Sequence, residues 1–311
     1  MFDFRTDLAD ERMEECVERT IDGKIDGIVS ERKVFSEKID VNTVKVLNEE
    51  GSKKIEKKVG TYITINIKEI DFISDEEMDQ AKKIFADELK SILNTDGNIL
   101  IVGLGNEDTT ADSIGPKVTK DLEITRHILK YKPELLPEGT REISAIAPGV
   151  LGTTGIETQE ILKGIVQKLD LGAIIVIDAL ASNNISRLLK TIQICDTGIT
   201  PGAGVNNKRK EISEDTMGVK VIAVGVPTIV EAATIVADSI DILTEKFDEF
   251  KFLKDSTYEE KYQLVKMVLE PSNYNLAVMP KEIDDLVDNM KEIIANGINK
   301  ALSVWKCFNA I

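Results

Sequence analysis

Two stretches of this chain are apolar without interruption and end at a turn. Ile99-Leu-Ile-Val-Gly-Leu-Gly-Asn106 runs through four large aliphatic residues into a glycine-rich bend, and Gly172-Ala-Ile-Ile-Val-Ile-Asp178-Ala-Leu-Ala-Ser182 closes on an aspartate. A strand with no polar side must be covered on both faces, and this occurs where helices pack above and below a parallel sheet. From Asn98 onward the chain alternates strand, loop and helix. Strands are expected over 98–104, 142–147, 172–178, 190–195 and 219–225, with helices starting near Asp112, Thr154, Ser213 and Pro227 and two more over 258–269 and 279–302. The expected class is α/β, a mostly parallel twisted sheet with helices on both faces.

Ahead of that rhythm lies an α+β extension. A charged helix is read over 8–30, with Met13, Val17 and Ile21 near one face. Two stretches alternate with period two, Val41–Leu47 and Thr61–Ile67, and the lysine-rich segment 51–60 between them reads as a loop. A helix from Ser74 to Leu93 opens on Asp75, Glu76 and Glu77, acids that suit the positive end of its dipole. Residues 8–95 therefore form a helix, hairpin and helix packed on a core of residues 96–311, the whole making one globular unit.

Open α/β sheets place their sites in the crevice at the carboxyl ends of the strands. Asp178 ends an apolar strand there, where a charge needs a partner or a purpose. Asp112, in Ala111-Asp112-Ser-Ile-Gly-Pro116, follows the other strand. Two carboxylates so delivered are candidates for a proton-sharing hydrolytic pair. Asp112 also fits a second role, as the N-cap of the helix that follows.

Composition and motif chemistry exclude several alternatives. A net charge of −16, from 39 Lys+Arg against 55 Asp+Glu, lacks the basic footprint of a nucleic-acid or anionic-membrane binder. No window approaches a membrane span, and no signal peptide is visible at the start. Cys16, Cys195 and Cys307 show no metal or disulfide spacing, which suits a reducing interior. His127 is the single histidine, so one chain holds neither a Ser-His-Asp triad nor a two-histidine zinc site. Gly103-Leu-Gly105 begins a dinucleotide fingerprint, but Asp108 stands where the third glycine belongs. Asp196-Thr-Gly198 matches one triplet of the pepsin-like proteases, which need two in an all-β frame; a tight turn explains it. No cofactor and no metal are expected.

Two loops look purposeful. Ala147-Pro-Gly-Val-Leu-Gly-Thr-Thr-Gly155 suits a substrate-lining loop containing Gly149, with Thr154 and Glu157 at capping-box spacing. Pro201-Gly-Ala-Gly-Val-Asn-Asn-Lys-Arg-Lys210 ends in the densest basic run of an acidic chain. Lys208, Arg209 and Lys210 read either as a solvated loop or as a site for acidic side chains of a substrate.

Together, Gly103-Leu-Gly-Asn106 with Asp112-Ser-Ile-Gly-Pro116, Ala147-Pro-Gly-Val-Leu-Gly152 with Gly155-Ile-Glu-Thr158, Ile177-Asp-Ala-Leu-Ala-Ser182, Asp196-Thr-Gly-Ile199 with Gly204-Val-Asn-Asn-Lys-Arg-Lys210, and Val224-Gly-Val-Pro-Thr228 resemble the germination protease family of endospore-forming bacteria. The likeness extends from Phe4 to about Ile242. It implies a fold like that of the hydrogenase maturation endopeptidases and catalytic roles for Asp112 and Asp178; beside it, Asn106, Gly149, Lys208, Arg209 and Lys210 are read as candidate substrate contacts. It further implies a zymogen that removes its own N-terminal peptide, then degrades small acid-soluble spore proteins in the cytoplasm of the spore core, as a homotetramer and without contacting DNA. Family substrates are cut after an acid, before an apolar residue followed by alanine. Thr6-Asp7-Leu8-Ala9 fits that pattern, making Asp7-Leu8 the processing site and residues 1–7 a propeptide. The relatives that mature hydrogenases hold metal through a histidine, and His127 matches no such position. Two alternatives stand beside this reading: a metal-dependent processing peptidase, and a non-catalytic binding module.

Overall fold

The computed structural model describes residues 6–18, 25–202, 209–247, 256–269 and 276–302. Its strands are β1 (Ile28–Val34), β2 (Ile39–Val46), β3 (Gly60–Ile67), β4 (Ile99–Gly103), β5 (Ile143–Ile146), β6 (Ala173–Ser182), β7 (Thr191–Cys195), β8 (Lys220–Glu231) and β9 (Ala277–Val278). They join in a single sheet ordered β1-β2-β3-β7-β8-β6-β4-β5, with β9 against the far end of β8. The four strands β5, β4, β6 and β8 pair in parallel. From β8 outward through β7, β3, β2 and β1 every pairing is antiparallel. The N-terminal extension thus continues the parallel sheet itself.

The helices are α1 (Ala9–Glu18), α2 (Glu49–Ile55), α3 (Asp75–Leu93), α4 (Ile114–Lys120), α5 (Arg126–Tyr131), α6 (Leu151–Thr154), α7 (Thr158–Val166), α8 (Glu214–Met217), α9 (Ala232–Lys246), α10 (Tyr258–Leu269) and α11 (Ile283–Leu302). Alternation along the strands sends their apolar residues to both faces, as the uninterrupted runs demand. Ile99, Ile101, Ile175 and Ile177 join Phe85 and Leu89 of α3, Ile114 of α4, and Ile293 and Ile298 of α11. Their neighbours Leu100, Val102, Ile174 and Val176 face Leu162 of α7 and Met217 of α8. On that second face, beyond β8, Ala9 of α1 and Ile55 of α2 cover Val44, Tyr62 and Cys195. Each of these fully buried aliphatic or aromatic side chains contributes on the order of 2 kcal/mol.

Several sequence expectations shift. The strand β1 occupies 28–30, where a helix was expected, and hairpin pairing with β2 fixes it. Within the expected loop 51–60 lies α2: Asn48 caps it by accepting from Gly51 N at 2.9 Å, and Glu49, Glu50, Lys53 and Lys54 complement its dipole. Pro227 lies inside β8, opposite Leu180, beside the register shift after Leu180, and α9 starts only at Ala232. A proline is tolerated in a strand at such an irregularity. The helix expected from Thr154 starts at Thr158; the Thr154 hydroxyl donates to the Val150 and Ile156 carbonyls instead of capping it.

Candidate active site

Asp178 lies in β6, one residue beyond the apolar run, opposite Gly225 of β8. The strand continues to Ser182, so the side chain is held from both ends and is only 6% exposed. Asp112 arrives from the other side. After β4 the chain turns at Gly105, whose φ of +109° is left-handed and where a Cβ would stand 2.0 Å from the Asp112 carbonyl oxygen. A short turn of 3-10 helix, Thr110–Asp112, then delivers the carboxylate, and the Thr228 hydroxyl of β8 anchors it by donating to the Ala111 carbonyl at 2.7 Å. The glycines after β4 thus serve close packing rather than phosphate binding. Gly115 of α4 makes the same point, since a Cβ there would fall 2.2 Å from the Leu104 carbonyl oxygen. The N-cap of α4 is Ser113, which leaves the Asp112 side chain for other work.

Both carboxyls are held above the ordinary carboxylate range. Burial is the main cause at Asp178, followed by the charges of Asp112 and Asp7, and the single bond from its neighbour Ala179 N (3.0 Å) offsets little. Burial also raises Asp112, opposed by the Asn106 N–H that donates to it at 2.8 Å. The charge of Asp112 thus adds to burial in raising Asp178.

A cavity of about 570 Å³ opens at these carboxylates, and the N-terminal segment reaches into it. Asp7 lines the cavity with Asp112 and Asp178. Its N–H donates to the Ala181 carbonyl (3.0 Å), extending the pairing of β6, and its carboxylate accepts from Ala181 N (2.9 Å). The Asp7 carbonyl accepts from Lys57 Nζ (2.8 Å) and Gln193 Nε2 (3.1 Å), while Gln193 Oε1 accepts from Ala9 N (2.7 Å). Leu8 and Ala9 are fully buried. Beyond them α1 is clamped by Arg187, whose guanidinium meets Asp10 at 2.6 Å, Glu11 at 3.4 Å and Glu14 at 3.0 Å. Glu11 also accepts from Thr6, from Ser182 Oγ (2.5 Å) and from Asn183 N (2.9 Å). Burial outweighs Arg187 at Asp10, whose carboxyl is pushed up to about 6; burial likewise raises Asp7.

The other residues singled out from sequence are distributed more widely. Gly149 lines the cavity with a φ of +76°. Asn106 acts through its backbone on Asp112, and its side chain donates to Thr109 Oγ1 and accepts from Asp108 N. Arg209 lines the cavity, Lys210 pairs with Glu160 at 2.6 Å on the exposed surface, and Lys208 lies outside the described residues. Cys307 and residues 1–5 of the expected propeptide lie outside them too. His127 is exposed on α5, and Asp196-Thr-Gly198 forms a turn with Gly198 at φ +75°. Among the described residues, no group of three or more His, Cys, Asp or Glu side chains is placed to hold a metal ion. Lys57, Gln193 and Arg187 escaped sequence reasoning. Gln193 alone left a signal, a polar residue inside the apolar strand Thr191-Ile-Gln-Ile-Cys195.

A cleft on an α/β sheet that holds a peptide segment beside two carboxyls raised by burial suits a peptidase. Relatedness narrows the class. The chain belongs to the germination protease family, whose family model matches residues 5–257 and 251–305. It is 47% identical to the germination protease of Clostridium acetobutylicum, covering 96% of this chain and 94% of that one. With the Clostridium perfringens protein identity is 44%, over 97% and 96% of the two chains. The Caldanaerobacter subterraneus protein is 44% identical over 96% and 94%. A solved nickel–iron hydrogenase maturation protease, HycI from Thermococcus kodakarensis, is 13% identical with a TM-score of 0.31, covering 67% of this chain and 98% of that one; a likeness so distant carries no argument. Membership makes the protein a protease of spore germination.

Proposed function

We propose that the protein is an endopeptidase made as a zymogen, which cuts its own Asp7–Leu8 bond and then degrades small acid-soluble spore proteins during germination, with Asp112 and Asp178 activating the attacking water. The observation that carries this reading is the position of Asp7, held through its N–H, carbonyl and carboxylate in the cavity that both aspartates line. The ionised member of the pair takes a proton from water, the oxygen attacks the Asp7 carbonyl carbon, and the protonated member supplies the proton for the departing Leu8 nitrogen. The propeptide inhibits through Asp7, which occupies the cleft that a substrate needs.

The same contacts account for the substrate pattern that the family resemblance implies. Ala181 N takes the acidic side chain before the cut, and the apolar Leu8 after it is fully buried. Ala9 is fully buried in a cluster with Val44, Tyr62 and Ala223, where a close-packed interior favours a small side chain. Arg209 extends the cavity wall towards acidic side chains of a substrate, with Lys208 and Lys210 beside it in sequence. Asn106 and Gly149 shape the loops around the pair. The protein works in the spore-core cytoplasm as a homotetramer and leaves nucleic acid and membrane alone; among the described residues no helix is long and apolar enough to cross a membrane. Intact mass before and after mild acid incubation tests the reading. Loss of residues 1–7 from the wild type, and from neither Asp112→Asn nor Asp178→Asn, is the expected result. A folded wild type that never loses them sinks it.

A further inference from the structure

We infer that Lys57 and Gln193 are catalytic residues: their donors hold the carbonyl oxygen of the Asp7–Leu8 bond and receive the negative charge that forms there during hydrolysis. The inference rests on the self-cleavage reading above and adds to it the group that stabilises the oxyanion.

The oxygen of the bond to be cut accepts two hydrogen bonds, both from side chains distant in sequence: Lys57 Nζ at 2.8 Å and Gln193 Nε2 at 3.1 Å. The Gln193 amide is oriented by its own partners. Its Oε1 accepts from Ala9 N at 2.7 Å, so Nε2 is the atom that faces Asp7, and one side chain spans the bond from the carbonyl before it to the N–H after Leu8. Lys57 is aimed by backbone geometry. The helix α2 ends at Glu56 in the left-handed region (φ +54°), the chain reverses, and Lys57 N donates to the Ser52 carbonyl at 3.2 Å. The side chain is half-buried, but its ammonium lies deep in the cavity, where burial lowers its pKa and the Asp7 carboxylate opposes that shift.

This is the chemistry an acyl-transfer site requires. When the water oxygen bonds to the Asp7 carbon, the carbonyl π electrons move onto the oxygen between Lys57 and Gln193. Collapse of the tetrahedral species restores the carbonyl and breaks the bond to Leu8 nitrogen, which takes its proton from the aspartate pair. A fixed ammonium and amide in a desolvated cleft interact more strongly with an oxyanion than with a neutral carbonyl, so they lower the barrier rather than merely bind. The aspartates and the donors thus divide the work: the former handle the protons, the latter the charge.

The test follows release of residues 1–7 by intact mass, as a first-order rate in the full chain. Lys57→Met is expected to slow it about 100- to 1,000-fold, the usual loss for one oxyanion donor. Gln193→Glu, which keeps the acceptor for Ala9 N but puts a carboxylate against the developing charge, is expected to lose at least as much, and Lys57→Arg to recover part of the rate. Amide exchange at Asp7 and Ala9 should match the wild type, separating lost chemistry from lost docking. Cleavage by either loss variant within threefold of the wild-type rate overturns the inference, as does faster cleavage, which would make Lys57 a lock on the zymogen. If Lys57→Met does not fold, Gln193→Glu decides alone. A wild type that never cuts at Asp7–Leu8 refutes the reading beneath; a wild type that cuts, an Asp178→Asn that does not, and a Lys57→Met that still does refute only this one.

Discussion

On the parallel side of β8 the cleft receives carboxylates, Asp178 from β6 and Asp112 from the turn after β4. On the antiparallel side it receives donors, Lys57 from the turn before β3 and Gln193 from β7. The N-terminal segment runs between the two, paired with β6 through Asp7 and packed on β2 and β3 through Ala9. The parallel half follows the general habit of α/β sheets, in which chemistry collects at strand ends. The antiparallel half meets a different demand, that of gripping a peptide whose own backbone offers a carbonyl and an N–H. A site for cutting polypeptide needs both, and on the proposed reading one continuous sheet supplies them from opposite edges of a shared strand.

The sharpest test of that division is loss of a carboxylate. Asp178→Asn is expected to abolish self-cleavage, at least 1,000-fold by rate, while calorimetry shows a Tm at or above the wild-type value, because a buried carboxyl with no full set of partners is replaced by a neutral group. A lower Tm would mean that Asp178 supports the fold. Next in size is Arg187→Met, which leaves Asp10 and Glu11 buried without their cation. Loss of one partner from such a cluster costs about 3 kcal/mol, and denaturant unfolding together with a roughly tenfold slower release of residues 1–7 should report it. Ala9→Leu forces three carbons into the filled space beside Tyr62 and Cys195, at a cost of about 1–3 kcal/mol. It should slow self-cleavage while a soluble peptide carrying alanine at the same place is still cut by the processed enzyme. Equal cutting of peptides with Leu and Ala there would show that the antiparallel half does not select.

A pH series is expected to have a gentler effect. The Asp7 and Asp178 carboxyls are raised in the fold and that of Asp10 reaches about 6, so each is less favourably charged when folded than when unfolded. Their cost is therefore present at neutral pH and is relieved as pH falls through the folded values. Docking of the N-terminal segment should tighten between pH 7 and pH 5.5, and self-cleavage should rise over that range before falling again once both members of the pair hold protons. A rate flat from pH 7.5 to 5.5 would detach these groups from the reaction. The smallest effect expected is that of Lys210→Gln, which breaks an exposed pair with Glu160 and should leave Tm unchanged. Any change in its cleavage of acidic peptides would be a substrate effect, read against Arg209→Gln on the cavity wall.

The two halves also differ in how far sequence announces them. Runs such as 173–177 are apolar on both faces, so the parallel strands and their burial follow from periodicity alone, whereas β6 continues past Asp178 to Ser182 and Asp112 is delivered by a turn after β4. The antiparallel half is written in weaker signals. Lys57 stands in a segment with Lys53, Lys54 and Lys58 that reads as solvent-facing, and only the cap at Asn48 and the left-handed Glu56 turn one of the four lysines inward. Arg187 follows Asn184-Ile-Ser in a turn with no apolar pattern, and its three acidic partners sit about 175 residues away on α1. Contacts of that range depend on how strands are ordered in the sheet, which local residue choice does not encode. The Asp7-Leu8-Ala9 triplet is legible in the sequence, but its place in the cleft is set by the pairing of Asp7 with Ala181, a contact 174 residues away.

The complete burial of Leu8 gives the proposed cut a direction. Before hydrolysis the Leu8 nitrogen is a neutral amide held out of water; afterwards it would be an ammonium with a large cost of staying there, while the new Asp7 carboxylate would keep Lys57 Nζ as its partner. The products are therefore worse ligands for the cleft than the intact chain was. Separation of the two ends hydrates both charges and opens the cavity in the same motion, so the first turnover works as a ratchet: the chain is the best occupant of its own site only until it has been cut.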